Sequence, residues 1–504
     1  MQKYWNHLLI IGISAFLYLY SLAPTIVGGD SALFCIRVFQ TRLRFGRANN
    51  HPLFVVLGKL FSMLPFELAY TLNLLSAFFG VLTVLLIFLS IRHLTHSLCA
   101  ASFGSLSLMA SHAFWLHSVI AEVYTLNAFF VALLLYITLT QMKHRRFIVL
   151  FPLVVILGLL NHLIFALVLP AVLLYILIAL DAQPRRTILL SLGWLVVLLL
   201  ALLTGLFLVR AQMMKTWVHA FLIGPPPITH YLYPPAGIRA LLQEFVLYVL
   251  YFVYQYPIGG IFIGILGVVQ LSKKKKAVSA LLLLTILFNG LFFIKTTSWG
   301  SYGGTKYTFY ISDYTVFAIF VGYGSRSLFT VLKHWAKHRS KIHAPQWVSA
   351  GVVAASLVAT VLFYTTMPSL MTYLNIDLLH ARVLPYRDNN TFFLNPGKRG
   401  YYGDRKFGEE ILKRCKKNAV VFADFTPFTI LRYLTVIENK RPDIKLVLCD
   451  ERMNIAEQIH AIQQETSRIH FYLADNNSYY NLQGLEEQYH IQRDGSFFEM
   501  IPRK

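Results

Sequence analysis

The first 366 residues contain just six carboxylates: Asp30, Glu67, Glu122, Asp181, Glu244 and Asp313. In so apolar a stretch every charge is expensive, and charges kept there tend to serve a function. Asp30 closes the run Gly28-Gly29-Asp30-Ser31, which turns tightly and presents a carboxylate; capping a helix and doing chemistry are compatible at such a place. Glu122 lies in SHAFWLHSVIAEVYTLN, flanked by Ala121 and Val123. Weak solvation there raises a carboxyl pKa, which suits proton transfer or a hydrogen bond to a sugar hydroxyl; a helix cap or a snorkelling carboxylate is the plainer role. Asn161 and His162 sit at a turn between two apolar runs, placed either for interfacial hydrogen bonding or for contact with a phosphate or sugar. The segment TTSWGSYGGTKY (296–307) joins glycine freedom to Trp299, which can stack on a sugar ring, and Lys306, which can hold an anion; the plainer alternative is a packed loop. Asp313 either caps the next helix or pairs with Lys306.

These residues must be positioned by membrane helices. The chain has 504 residues, 56% apolar and 13% charged, with a net charge of +22. That composition excludes intrinsic disorder and argues against an ordinary soluble enzyme. Runs long enough to span a bilayer occur near 7–24, 67–91, 97–115, 123–142, 147–161, 163–180, 187–209, 241–271, 277–295, 310–332 and 345–366. We therefore expect an α-helical polytopic membrane protein with about 11 transmembrane helices.

Alternate loops differ sharply in charge. One set carries 15 basic residues, among them Arg145, Arg146, Arg185, Arg186 and Lys273 to Lys276, against the single acid Asp181. The positive-inside rule puts that set, and the N-terminus, in the cytoplasm. Five of the six carboxylates then fall in or near segments on the other side. There the loop 25–66 holds two stretches read as helices lying along the surface: SALFCIRVFQTRLRFG and HPLFVVLGKLFSMLP.

The chain after residue 366 differs in kind. Residues 367–504 carry 19 basic and 17 acidic residues and no spanning run. Strand-like AVVFAD, IKLVLCD and IHFYLAD alternate with helical FTILRYLTVIEN and NIAEQIHAIQQE, which predicts a small external α/β soluble domain. With so balanced a charge, no nucleic-acid partner is expected. Cys35, Cys99, Cys415 and Cys449 show no zinc spacing, and we expect no metal ligand set and no cofactor.

Isolated carboxylates, surface helices and basic residues on one face suit a lipid-linked substrate, with its tail in the bilayer and its phosphate at the surface. At this point the sequence resembles a bacterial multi-pass family of unknown function, related to protein O-mannosyltransferases and to the eukaryotic transmembrane O-mannosyltransferase. These are membrane-embedded glycosyltransferases of class C. The resemblance is carried by Asp30-Ser31, by His51-Pro52 leading LFVVLGKLFSMLP, and by NLLSAFFG (73–80). It continues in FWLHSVIAEVYTLNAFF (114–130), GLLNHLIFALVLP (158–170) and DFTPFTILRYLTVIENKRPDIKLV (424–447). Two departures stand out. Ala32 and Leu33 follow where the family often has Gly-Glu, and Leu53 and Phe54 follow where it tends to have Pro-Gly.

The resemblance implies a class C fold and transfer of a sugar, mannose or another hexose, from a polyprenyl-phosphate donor. It puts Asp30 at the active centre, as base or acceptor-orienting group, with Glu122 assisting. His51, Tyr124, Asn161, His162, Trp299 and Lys306 become candidates for substrate binding. Direct attack would make the enzyme inverting. The acceptor is a hydroxyl on protein, lipid or glycan. The implied location is the bacterial inner membrane, with the C-terminal domain external. Two other classes stay open: a transporter or flippase for a lipid-linked substrate, which calls for midplane acids and repeats, and a catalytically inactive membrane scaffold.

Overall fold

The computed structural model describes residues 2–41, 50–179, 185–209, 237–297, 303–339, 345–376, 383–450, 453–465, 469–475 and 480–503. Helices dominate up to residue 373. They are α1 (Gln2–Tyr20), α2 (Asp30–Phe39), α3 (Pro52–Phe61), α4 (Leu68–Thr95), α5 (Leu98–Met109), α6 (His112–Val119), α7 (Tyr124–Gln141) and α8 (Phe147–Asn161). A 3₁₀ turn (Leu163–Val168) then leads into α9 (Leu169–Ile178) and α10 (Arg185–Val209). Next come α11 (Gly237–Gln255), α12 (Gly260–Lys274) and α13 (Lys276–Thr296). A second 3₁₀ stretch (Gly303–Tyr310) opens α14 (Ile311–Arg339), and α15 (Pro345–Tyr373) follows.

Among the described residues, six helices are long and apolar enough to cross a membrane, by length and composition: Leu68–Thr95, Tyr124–Gln141, Gly237–Gln255, Lys276–Thr296, Lys306–Trp335 and Trp347–Tyr373. Shorter apolar helices accompany them, including Leu98–Met109, Phe147–Asn161 and Leu163–Ile178. Two of the expected spans are broken. The run 97–115 divides at Ala110 and Ser111 into α5 and α6. The run 241–271 divides into α11 and α12, because Ile258 and Gly259 take positive φ of 56° and 82° after Pro257. Hydropathy alone does not register such a break, since the flanking residues stay apolar. In the loop 25–66, α2 and α3 form as expected, each with ten residues and too short to cross. Arg42 and Arg44 lie outside the described residues.

One face of α4 frames the site. Asn73, Ser76 and Gly80 recur at helical spacing and so point the same way. Asn73 Nδ2 donates to the carbonyls of Ala23 (2.9 Å) and Thr25 (3.3 Å). The Ser76 hydroxyl meets the backbone of Glu122, and a Cβ on Gly80 would lie 2.6 Å from Ser118 Oγ. The NLLSAFFG motif is thus a docking stripe for two loops and for α6.

After α15 the chain forms α16 (Asn389–Leu394), α17 (Gly403–Arg414), β1 (Val420–Ala423), α18 (Phe425–Val436), β2 (Lys445–Leu448), α19 (Ile455–Glu465), β3 (Phe471–Leu473), α20 (Leu485–Gln488), β4 (Tyr489–Asp494) and β5 (Phe497–Pro502). The strand order is β2-β1-β3-β5-β4. β1 is parallel to β2 and β3, whereas β5 is antiparallel to β3 and β4. The three apolar segments of the sequence form the parallel part. The β4–β5 hairpin was not foreseen; its signal is the two-residue loop Gly495-Ser496, with Gly495 at φ +67°. Cys415 and Cys449 are buried free thiols.

Alternation along β1 decides how the sheet docks. Val420 and Phe422 pack with Ile455 and Ile459 of α19 on one face. Val421 and Ala423 join Ile411 of α17 and Ile430 and Leu434 of α18 in the core that continues into the helix bundle. The sheet is therefore fastened to the bundle through α17 and α18.

Within the bundle, α12 and α14 approach backbone to backbone. A Cβ on Gly267 would lie 1.9 Å from the Phe320 carbonyl oxygen, and one on Gly324 would lie 2.0 Å from that of Ile263. A Cβ on Gly351 would meet no other part of the protein within 4 Å. Gly267→Leu is therefore expected to destabilise the protein by about 1–3 kcal/mol or more, seen as a lower detergent-melting temperature. Gly351→Leu leaves that temperature near the wild-type value.

Candidate active site

Asp30 is the first residue of α2, directly after the N-cap Gly29, which has no side chain to cap the helix. The turn before it needs glycine at Gly29, where φ is +83°. Ser31 Oγ donates to the Ala121 carbonyl at 2.8 Å, which ties the start of α2 to the turn between α6 and α7. Residues 30 and 122 are thereby neighbours. Asp30 is solvent-accessible yet surrounded by protein, as a group in a recess is. Desolvation raises its pKa and the Arg37 charge opposes the rise. Glu122 is 8% exposed. Burial, followed by the repulsion of Asp30, holds its pKa well above the usual carboxylate range. Two carboxyls so placed titrate as a coupled pair.

His51 stands just before α3, whose first position is Pro52. Its Nδ1 contacts the Asn161 carbonyl at 2.7 Å. A carbonyl only accepts, so Nδ1 carries the hydrogen. Burial pushes the His51 pKa down to about 4, so the ring is neutral and Nε2 offers a lone pair. His162 has the opposite tautomer: its Nδ1 accepts from the Ile164 amide at 3.1 Å. In the neutral ring Nε2 then bears the hydrogen and can donate. The two ring centroids are 4.6 Å apart. One imidazole thus presents an acceptor and its neighbour a donor.

Asn161 braces this pair. Its carbonyl receives His51, while its Nδ2 donates to the Val123 carbonyl at 3.3 Å. Tyr124 lies 5.8 Å from His162 and 4.8 Å from His117, ring to ring. The structure therefore gathers Asp30, His51, Glu122, Tyr124, Asn161 and His162 from four separate chain segments.

Lys306 is elsewhere. It is buried, ion-paired with Glu244, and donates to the Thr297 carbonyl at 2.8 Å. Asp313 was expected to cap its helix or pair with Lys306. Instead it accepts from Tyr248 at 3.0 Å. Trp299 lies outside the described residues. His117 was missed although it stands in the quoted FWLHSVIAEVYTLN motif. Both its ring nitrogens lack a hydrogen-bond partner among the described residues.

The turn that follows His162 lines an apolar groove of about 390 Å³. Ala166, Leu167 and Pro170 form one wall; Phe288, Leu291 and Phe292 form the other, with Lys295 in the last turn of α13. The first wall follows directly from His162, which precedes the 3₁₀ turn. On the other side Phe293 stacks on Phe309 at 5.0 Å, and Phe309 meets Tyr124 edge-on at 6.5 Å. Among the described residues, no group of three or more His, Cys, Asp or Glu side chains is placed to hold a metal ion.

Residues 38–185, which contain most of this cluster, match the family model of the protein O-mannosyl-transferase TMEM260 N-terminal domain. That stretch of the chain is thus similar to the O-mannosyltransferase-like proteins. Among solved structures it resembles ArnT from Cupriavidus metallidurans bound to undecaprenyl phosphate, at 12% identity and a TM-score of 0.57. Against the apo state of the same protein, also at 12% identity, the TM-score is 0.59. Each match covers 98% of this chain and 97% of the other. The fold is that of a multi-pass class C membrane glycosyltransferase.

A chemical prediction follows from the carboxyl pair. Dicyclohexylcarbodiimide reacts with protonated carboxyls in apolar surroundings and should label Glu122 at neutral pH. Asp30→Asn removes a contribution that raises the Glu122 pKa. Labelling in that variant should therefore be half lost at a lower pH than in the wild type, as read by peptide mass spectrometry.

Proposed function

We propose that this protein is a membrane glycosyltransferase that moves a hexose, mannose or a relative, from a polyprenyl-phosphate donor to an acceptor hydroxyl. The observation that carries this reading is the Asp30–Glu122 pair, joined by two complementary histidines, with an apolar groove lined by the turn that follows His162. The undecaprenyl phosphate bound by the ArnT relative is a ligand of the class this groove would take.

The polyprenyl chain lies in the groove between the 3₁₀ turn and α13. Lys295 and the His162 Nε2–H face the phosphate. Asp30, ionised, takes the proton of the acceptor hydroxyl as its oxygen attacks the anomeric carbon. The bond from that carbon to the phosphate oxygen breaks, and polyprenyl phosphate leaves with the electron pair. Glu122, protonated, donates a hydrogen bond to substrate and keeps the local charge low. Direct displacement inverts the anomeric centre. The family's second loop acid is replaced here by Leu33, and Glu122 supplies the carboxyl beside Asp30. By the charge bias of the loops, residues 367–504 and this site lie outside the cytoplasmic membrane, with the N-terminus inside.

Asp30→Asn should lower kcat for transfer of tritiated hexose from polyprenyl phosphate by about 10²–10⁴-fold. The wild-type rate should fall on acidification along a limb above the ordinary carboxylate range, because the raised pKa of the pair makes Asp30 harder to ionise. Full activity in Asp30→Asn membranes would rule the assignment out.

A further inference from the structure

We propose that the C-terminal unit is a positioning element for Asp30, with Asp404 and Thr429 as the positioning residues. Only its catalytic consequence rests on the transferase reading; the structural claim stands on geometry.

The two amides immediately before Asp30 are held from far along the chain. Gly28 N–H donates to Asp404 Oδ2 at 2.7 Å, and Gly29 N–H donates to Thr429 Oγ1 at 3.0 Å. Asp404 is buried, and its other oxygen accepts from the Tyr401 hydroxyl at 2.7 Å, so the acceptor is itself fixed. Space is equally constrained. A Cβ on Gly28 would meet Ile430 Cδ1 at 2.8 Å and Thr426 Cγ2 at 2.9 Å, which shows α18 lying directly on the turn.

The far end of the same loop is tied to the same unit. Glu67 Oε1 accepts from Thr25 Oγ1, Arg405 Nη1 and Tyr433 Oη, each at 2.9 Å. Arg405 Nη1 also donates to Thr25 Oγ1 at 2.9 Å and its Nη2 to Glu438 at 2.8 Å. Both ends of 25–67 are thus closed against α17 and α18.

These bonds reach the backbone that sets where Asp30 points. A unit serving only to bind acceptor would have no need to hold that backbone. Small displacements of a catalytic group cost rate steeply, about 10²-fold for 1 Å.

The test uses the full chain in detergent, with Thr429→Val, which keeps the shape, Thr429→Ser, which keeps the hydroxyl, and Asp404→Asn. Hydrogen–deuterium exchange is read by mass spectrometry. In the Val and Asn variants, exchange of residues 28–33 should rise about tenfold or more, while peptides from β1 and β3 stay at wild-type rates. Thr429→Ser should restore protection. In transfer assays the Val variant should lose about tenfold or more in kcat with the donor KM unchanged, and Ser should rescue it. Unchanged exchange in both Val and Asn variants overturns the clamp. If β1 and β3 also lose protection in the Val variant, the Asn variant decides. Raised exchange with undiminished kcat overturns the positioning role. A wild-type protein that transfers no sugar overturns the transferase reading instead, and the exchange result still decides the clamp.

Discussion

Two carboxyls, Asp30 and Glu122, are held close enough to repel in a place where water solvates them poorly. Were both ionised, their repulsion would push apart the two segments that carry them. The surrounding structure opposes this with uncharged contacts. Ser31 bonds to the Ala121 carbonyl, Ser76 engages the Glu122 backbone, and Asn161 ties Val123 to His51. Each bond replaces water at a buried polar group, and each would leave an orphan donor or acceptor if broken. The two segments are therefore held together by contacts that do not use the carboxyl groups.

The histidines follow the same economy. Both are neutral because they are buried, and their tautomers are set by what Nδ1 touches: a carbonyl for His51 and an amide for His162. The pair can face a ligand with one acceptor and one donor while adding no further charge beside the carboxyls. Lys295 stands apart in the last turn of α13, at the groove and not among the acids. A positive group beside the apolar groove and carboxyls at the polar recess would suit a substrate with an anionic lipid end and a sugar end.

Much of this was legible in the sequence, and the limits have physical causes. The polytopic helical class and the parallel strands of the C-terminal unit follow from composition and periodicity, which are local properties. The six clustered residues lie in short motifs whose polar members are conspicuous against apolar surroundings. Breaks such as the one at Ile258 and Gly259 escaped notice because backbone dihedrals change there without a change in hydropathy. Partners far apart in the chain were not legible at all. Nothing near Lys306 announces Glu244, and nothing near Gly28 announces Asp404. Glu67 stood out as a rare acid, but its role as a tie for Arg405 and Tyr433 depends on the tertiary fold.

The central claim is that the Asp30–Glu122 recess receives the sugar of a lipid-linked donor. The most direct measurement is a structure of the protein with a non-hydrolysable polyprenyl-phosphonate hexose. The account predicts the chain in the groove between the 3₁₀ turn and α13, the phosphonate against His162 or Lys295, and the anomeric carbon facing Asp30. A donor bound with its sugar away from both carboxyls would contradict it.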